Sequence, residues 1–433
     1  MPLKILATAD IHIGRTASKL PSHVAAEQFC CRQAWTDIVE CALKHSVDVV
    51  LLAGDVVDRN NRFFEAYGSL EAGIRKLSDS NIDTLAVAGN HDHDVLPRLA
   101  QQVSEQRFRL LGAHGTWESY DVERDGKVML QIHGWSFPQA HHRISPLNSY
   151  HLTCPDNVPT LGLLHADLDV HNSKFAPVST QELQRTDTTI WVLGHVHAPK
   201  HYEHNVGPDI LYPGSPLAMD PGEPGQHGPC LIEIDGDRPL SVTPLTGSPV
   251  RYETVPIDVS GSADLGAVEG HITNAVRERA AKLESEDPGV ELVIQRLRIT
   301  GHTSQCRGIS QLEHKLPQDL VILGPEERLT AVIESVTNDT RPPIDLTSLA
   351  DRTDLLGQLS SLILALDRPR HEDQDDLEQL MQDCLGQVER CYGASIYSSL
   401  DTDDRPAEDA LRDQVKRLGI DLLETLRSQE QTS

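Results

Sequence analysis

The sequence predicts an α/β fold: a sandwich of two sheets flanked by helices, then a small α+β unit and a helical C-terminal region. Three observations predict it. Strand and helix signals alternate through the first half. Strand signals crowd together between residues 128 and 235. Leucine seams at helical spacing run through residues 344–433.

The elements follow in order. "KILATAD" (4–10) reads as a first strand and not as a signal peptide. A helical period runs from about 25 to 45, with Cys30, Ala34, Ile38 and Cys41 on one face. "VDVVLLAGD" (47–55) is a second strand, a helical stretch covers about 62 to 80, and "IDTLAVAGNHD" (82–92) is a third strand with a polar end. "VMLQIHGWSF", "TLGLLHADLD", "TTIWVLGHVH" and "PCLIEID" are the later strands, expected in a second sheet packed on the first. Composition shifts near Pro244–Pro256. The expected domains are 1–245, an α+β unit at 250–337 and a helical region at 344–433. In the α+β unit, "ETVPIDV", "VELVIQRLRITG" and "QDLVILG" are strands, and Leu265, Val268, Ile272, Val276, Ala280 and Leu283 mark a helix. After the break "TRPPIDL", three seams appear: Leu349, Leu356, Leu359, Ile363, Leu366; then Leu377, Leu380, Cys384, Val388, Cys391; then Leu411, Val415, Leu418, Leu422, Leu426. "RPRHEDQDD" (368–376) is a charged linker.

Composition narrows the function. At 433 residues with 39% hydrophobic content, the chain has material for two or three packed domains. No apolar run approaches a membrane span, so no membrane partner is expected. Eight scattered cysteines with no C-x-x-C spacing point to reduced, mostly buried thiols and a cytoplasmic setting. A formal net charge of −27 argues against wrapping nucleic acid with the whole surface, and leaves room for a local cationic site. Arg15, Arg59, Arg62, Arg143, Lys174 and Lys200 all stand near the polar clusters described next.

Five such clusters end apolar runs: "DIH" (Asp10, His12), "GDVVD" (Asp55, Asp58), "GNHD" (Asn90, His91, Asp92), "LLHAD" (His165) and "GHVH" (His195, His197). Ligands of an α/β sheet collect beyond the carboxyl ends of its strands, so clusters far apart in sequence can converge there. Carboxylate, imidazole and amide oxygen together suit Mn, Fe or Zn better than an all-oxygen Mg cage. Asp55 is the natural bridging carboxylate for two ions. Taken singly, each piece has a plainer reading: Asp58 as a helix cap, Asn90 as a turn residue, His195 or His197 as a surface histidine. His133, His141, His142 and His171 lie outside the pattern and read as surface residues or as neighbours of the ligands.

The ordered series D-x-H, G-D-x-x-D, G-N-H-D, H, G-H-x-H resembles the calcineurin-like metallophosphoesterase family over roughly residues 1–240. The resemblance implies a two-sheet metallophosphoesterase sandwich and two divalent metal ions, Mn(2+) foremost and Fe or Zn as alternatives. Asp10, His12, Asp55 and His197 would hold one ion; Asp55, Asn90, His165 and His195 the other. A metal-bridging hydroxide would attack phosphorus in line. His91 would serve the leaving oxygen, Asp58 would orient His91, and Arg59 would contact phosphate. "IHGWSF", "KFAPVSTQEL", "YPGSP" and "HGPCLIEID" are similar to the SbcD-type and YhaO-type DNA-repair exonucleases. That likeness implies DNA as substrate, a homodimer, a capping role for the α+β unit, and a helical tail docking an SbcC-like ATPase. A small-molecule or protein phosphoesterase of the same superfamily is the alternative, and a non-catalytic scaffold a further one.

Overall fold

The computed structural model describes residues 2–21, 24–59, 63–103, 107–124, 126–235, 238–341, 344–366, 375–392 and 408–432. Arg62 and most of the linker at 368–376 lie outside the described residues, as do the side chains of Leu377 and Cys391. The chain forms two compact units, Met1–Arg341 and Pro342–Ser433.

Two six-stranded sheets build the first part of unit one. The first has β1 (Leu3–Thr8), β2 (Val49–Ala53), β3 (Asp83–Val87) and β4 (Phe108–Leu110) running parallel. The second contains β5 (Trp117–Arg124), β6 (Lys127–Trp135), β7 (Thr160–His165), β8 (Ile190–Gly194), β9 (Lys200–Tyr202) and β10 (Asp209–Tyr212), in the order β5-β6-β7-β8-β10-β9. β6, β7, β8 and β10 run parallel in it. The chain then returns to the first sheet as β11 (Cys230–Asp235), antiparallel to β1, and β12 (Arg238–Pro244), so "PCLIEID" joins the first sheet and not, as its sequence position suggested, the second.

Burial explains the strand sequences. β2, β3, β7 and β8 are buried along their whole length and are apolar apart from Asp83, Thr84, Thr160 and His165 at strand ends, as parallel strands covered on both faces tend to be. One face of each sheet meets the other in a shared core of Ile5, Ala7, Leu51, Leu85, Ile132, Leu161, Leu163 and Val192. The opposite face of the first sheet is covered by α1 (Cys31–His45) and α2 (Phe63–Asp79) through Trp35, Ile38, Leu70 and Ile74. The architecture is the two-sheet α/β sandwich expected from the sequence. A short α3 (Leu96–Gln102) leads into β4, and α4 (Thr180–Leu183) is one turn with a capping box from Ser179 and Glu182.

A third sheet, β13-β14-β16-β15, follows: β13 (Val250–Asp258), β14 (Leu292–Thr300), β15 (Val321–Leu323) and β16 (Thr330–Asn338). The helices α5 (Leu265–Glu286) and α6 (Cys306–Asp319) pack on it. α6 has no counterpart in the elements expected from sequence, because Gly308 and Pro317 interrupt its period. This sheet stands on two loops of the sandwich. Tyr252, Leu292 and Ile294 share a core with Ala17, Phe29, Leu217 and Met219, and the Tyr252 hydroxyl donates to Ser18 O at 2.5 Å.

Unit two contains α7 (Leu346–Ala350), α8 (Leu355–Leu366), α9 (Asp375–Tyr392) and α10 (Glu408–Thr432). Its seam on α10 differs from the one read in the sequence. Leu418 and Leu422 are 61% and 52% exposed, whereas Leu423 is fully buried with Leu356 and Ile363. The cause is Gly419: a Cβ there would lie 3.0 Å from Ile363 Cγ1, so the missing side chain lets α10 approach α8 on the 415–419–423 face. Among the described residues, no helix is long and apolar enough to cross a membrane. The seven cysteines whose side chains are described are free thiols, but only Cys31 and Cys230 are buried; the other five are half-buried, against the expectation of mostly buried thiols.

Candidate metal centre

The parallel strands bring their carboxyl ends to one edge of the sandwich. Residues after β1 supply Asp10 and His12, those after β2 supply Asp55 and Asp58, and those after β3 supply Asn90 and His91. β7 ends on His165, and His195 and His197 follow β8. Leaving a strand so abruptly needs unusual backbone. Asp10, His12, Asp55 and His195 all have positive φ (52°, 51°, 50° and 97°), a region that non-glycine residues seldom occupy and that costs of order 1–3 kcal/mol each. The two sheets also approach closely there. A Cβ on Gly194 would stand 1.9 Å from Ala53 O; within the first sheet, one on Gly89 would stand 2.2 Å from Asp55 Oδ1.

The histidines are oriented by what they hold on their outer nitrogens. His165 is fully buried and its Nδ1 lies 3.0 Å from Ala53 O, which assigns the proton to Nδ1. Its Nε2 is then a lone pair, 3.1 Å from Asn90 Oδ1 and 3.4 Å from Asp55 Oδ2. His197 Nδ1 is 2.6 Å from Glu223 Oε1, leaving Nε2 facing His12 Nε2 at 3.3 Å and Asp10 Oδ1 at 3.9 Å. His12 Nδ1 is 3.3 Å from Asp58 Oδ1, so its Nε2 is likewise free, 4.0 Å from Asp55 Oδ2. Lone pairs therefore face lone pairs and carboxylates across two neighbouring spots that share Asp55.

Such a cluster needs positive charge. Without a cation, a second proton on the His165 ring takes up its Nε2 lone pair and supplies part of that charge: burial pulls His165 down, but Asp55 overrides this and lifts it to about 9. A proton bridges one pair of acceptors; a divalent cation at each spot would satisfy all of them at once. Candidate ligand atoms of Asp10, His12 and His197 lie within 4.8 Å of one another, as do those of Asp10, Asp55 and His165. The residues present thus fit a dinuclear centre. Ligand atoms of His12, Asp58 and His91 also lie within 4.8 Å of one another. There Asp58 Oδ1 lies 3.3 and 3.2 Å from the Nδ1 atoms of His12 and His91, neither of which is aligned for a hydrogen bond.

His195 sits differently from the other candidates. Its ring is 5.2 Å from that of His165, but its Nε2 points to Asp167 Oδ1 at 3.3 Å, so the nitrogen left for a cation is Nδ1. Burial and the neighbouring His165 hold its imidazole below the usual range, and hence neutral. Its backbone N–H donates to Asp10 Oδ2 at 3.0 Å. For His91, 35% exposed at its side chain, Asp58 raises the imidazole against the opposing effect of burial. Burial pushes Asp58 up, and the His12 and His91 imidazoles more than reverse it, keeping the carboxyl well below its ordinary range. Arg59 Nη2 donates to Asn90 O at 3.3 Å, on the rim.

Three supporting residues are assigned no part by the sequence pattern. Asp92 is fully buried, and its two oxygens accept from Val56 N (2.7 Å), Val57 N (3.3 Å) and Gly89 N (2.7 Å), tying the loop after β2 to the one after β3. Glu223 holds His197 and accepts from Met219 N at 2.8 Å. Asp167 faces His195. Only Asp92 carried a sequence signal, its place in "GNHD". The other histidines outside the pattern separate clearly. His133 is fully buried rather than superficial, between Tyr150 Oη at 2.6 Å and Gln131 Oε1 at 2.7 Å. His142 is half-buried, and His141 and His171 are exposed.

Residues 3–205 match the calcineurin-like phosphoesterase family, and the chain carries a calcineurin-like metallophosphoesterase domain. Similar curated proteins include the metallophosphoesterase YhaO of Bacillus subtilis, 25% identical over 61% of this chain and 65% of its own length. The DNA double-strand break repair protein Mre11 of Methanopyrus kandleri is 24% identical over 62% of this chain and 59% of its own. The SbcD component of the nuclease SbcCD of Rhodobacter capsulatus is 25% identical over 54% and 67%. The chain thus matches about three fifths to two thirds of the length of these relatives.

Proposed function

We propose that the chain is a dinuclear-metal phosphodiesterase that cuts DNA, with Mn as its working metal and Fe or Zn as alternatives. The observation that carries the metal-dependent chemistry is the convergence of acceptors on two spots around Asp55. The DNA assignment draws on the relatives named for DNA break repair and for a nuclease.

When bound, a cation pair would neutralise the phosphoryl oxygens and lower the pKa of a water toward neutrality. The chain's own residues do the rest. Asp10, His12, Asp55, Asn90, His165, His195 and His197 are the ligands in this reading, with Asp55 shared. His91, whose imidazole Asp58 raises against the effect of burial, stands at the rim, where its protonated form can donate to the departing oxygen. Arg59, fixed on the Asn90 carbonyl, supplies a positive charge beside the phosphate. The ATPase partner and the homodimer belong to the same reading. The Rhodobacter relative is one component of a named nuclease, which supports a partner. Leu355, Leu418 and Leu422 are exposed apolar groups in unit two that such a partner would cover.

The test is the purified chain with Mn and end-labelled DNA. His91→Ala should lower cleavage about 10²- to 10⁴-fold while metal content stays at two ions per chain. Undiminished cutting by that variant rejects the role of His91. The net charge of −27 favours the alternative, a small phosphoester or phosphoprotein substrate. Turnover of such compounds without any action on DNA would decide for it.

A further inference from the structure

The rim of the centre carries an aromatic step that the hydrolytic residues do not use. Phe175, half-buried, has its ring centroid 4.6 Å from that of His195. His141 is exposed and stacks with Phe175, with centroids 5.9 Å apart and planes 25° from parallel. Lys174 Nζ lies 5.3 Å from the Phe175 centroid. Backbone bonds pin the two segments together: His142 N donates to Lys174 O at 2.8 Å, Ala176 N to His142 O at 2.7 Å, and Asp167 N to Phe175 O at 3.0 Å. Ala176 takes a positive φ of 46° to make this possible. The step is therefore held in place and is not a loose loop tip.

The charges of the step add to this. Several arginines of this acidic chain sit on carboxylates: Arg107 with Asp83, Arg251 with Asp287, Arg279 with Glu253, Arg296 with Glu334. Among the described residues, Arg143 and Lys174 have no carboxylate partner. Loss of solvent, then Lys174, Arg59 and Arg143, push the His141 imidazole down, so it is a neutral flat ring within reach of three cations. A stacked pair of flat rings edged by unpaired cations matches a base joined to phosphates. Base–aromatic stacking tolerates any base, and the cations meet the backbone.

We propose that Phe175 and His141, flanked by Lys174 and Arg143, form a stacking step for an unpaired nucleobase beside the scissile phosphodiester. This rests on the phosphodiesterase reading above and adds to it a preference for unpaired strand. A paired base is stacked within its duplex and cannot enter the step.

The experiment uses the Mn-loaded full chain and a short single strand with 2-aminopurine at its end, a base whose fluorescence falls when it stacks. The same strand with an abasic end residue, and bis(p-nitrophenyl) phosphate, are the cleavage comparisons. Wild type is expected to quench the probe and to cut the base-bearing end about tenfold faster than the abasic one. Phe175→Leu and His141→Ala should each erase both effects and lower the ratio of strand cleavage to bis(p-nitrophenyl) phosphate turnover. His141 makes no contact with a proposed ligand, so its variant guards against a mere disturbance of His195. Equal rates on the two ends in wild type, or quenching that both variants keep, overturns the step. If wild type turns over the small diester but cuts no strand, the DNA reading falls. Quenching then decides for the step alone: loss in Phe175→Leu supports it, and no quenching by wild type overturns it. A 2-aminopurine dinucleotide quenching as well as the strand would identify a small nucleotide as the ligand.

Discussion

At the scale of single residues, what a histidine can do depends on which of its nitrogens is already occupied. His165, His197 and His12 each have an outer nitrogen on an oxygen of Ala53, Glu223 or Asp58, and that leaves the inner one bare. His133 shows the opposite outcome: both nitrogens are engaged, and burial lowers its pKa to about 4 from 6.5. Its folded-state value lies below its unfolded one, so the unfolded chain takes up the proton first as pH falls. His133 therefore contributes stability that is complete above pH 6.5 and lost as pH drops toward 4. His133→Gln should make unfolding free energy depend on pH less steeply across that window, by about one proton. Urea unfolding at several pH values measures it; an unchanged slope rejects the assignment. The ligand candidates were legible in the sequence because each is a polar residue directly after an apolar run. Glu223 and Asp167 were not. Glu223 is 26 residues from His197, and a contact that distant leaves no local pattern.

At the scale of elements, legibility followed burial. β2, β3, β7 and β8, covered on both faces, announce themselves as apolar runs. β5, "WESYDVER", lies at a sheet edge with most of its side chains at least partly exposed, and its sequence does not differ from that of a loop. α10 shows another limit. Both Leu422 and Leu423 are at helical spacing from other leucines, and only the approach at Gly419 decides between them. Leu423→Ala should cost about 2–5 kcal/mol of unit-two stability. Leu422→Ala should stay within about 0.5 kcal/mol. Thermal melts of the two variants compare them directly. The reverse order would mean that the helix is rotated from the position described.

At the scale of the whole molecule, the acceptors at the sheet edge tie cation binding to the folding of unit one. A ligand that binds only the folded state adds about 2.7 kcal/mol at a hundredfold excess over its dissociation constant. Adding Mn to chelator-treated chain should slow hydrogen exchange in β1, β2, β7 and β8 and leave α8 and α10 as they were. Equal protection in both units would point to binding elsewhere. The sandwich itself was foreseeable from the order of strands. The third sheet was foreseeable only in part: neither α6, interrupted by Gly308 and Pro317, nor β16, whose second half is largely polar, was among the expected elements.

The bond from His165 to the Ala53 carbonyl joins one sheet to the other at the point where the candidate ligands meet. Moving either sheet would therefore re-aim an imidazole, and variation in the hydrophobic interior is read out as variation in the reacting geometry. Natural or laboratory diversification of this protein has a freer route in the peripheral pieces, the aromatic rim and the third sheet. Exchanging those would change what approaches the strand-end cluster and leave the cluster itself as it is.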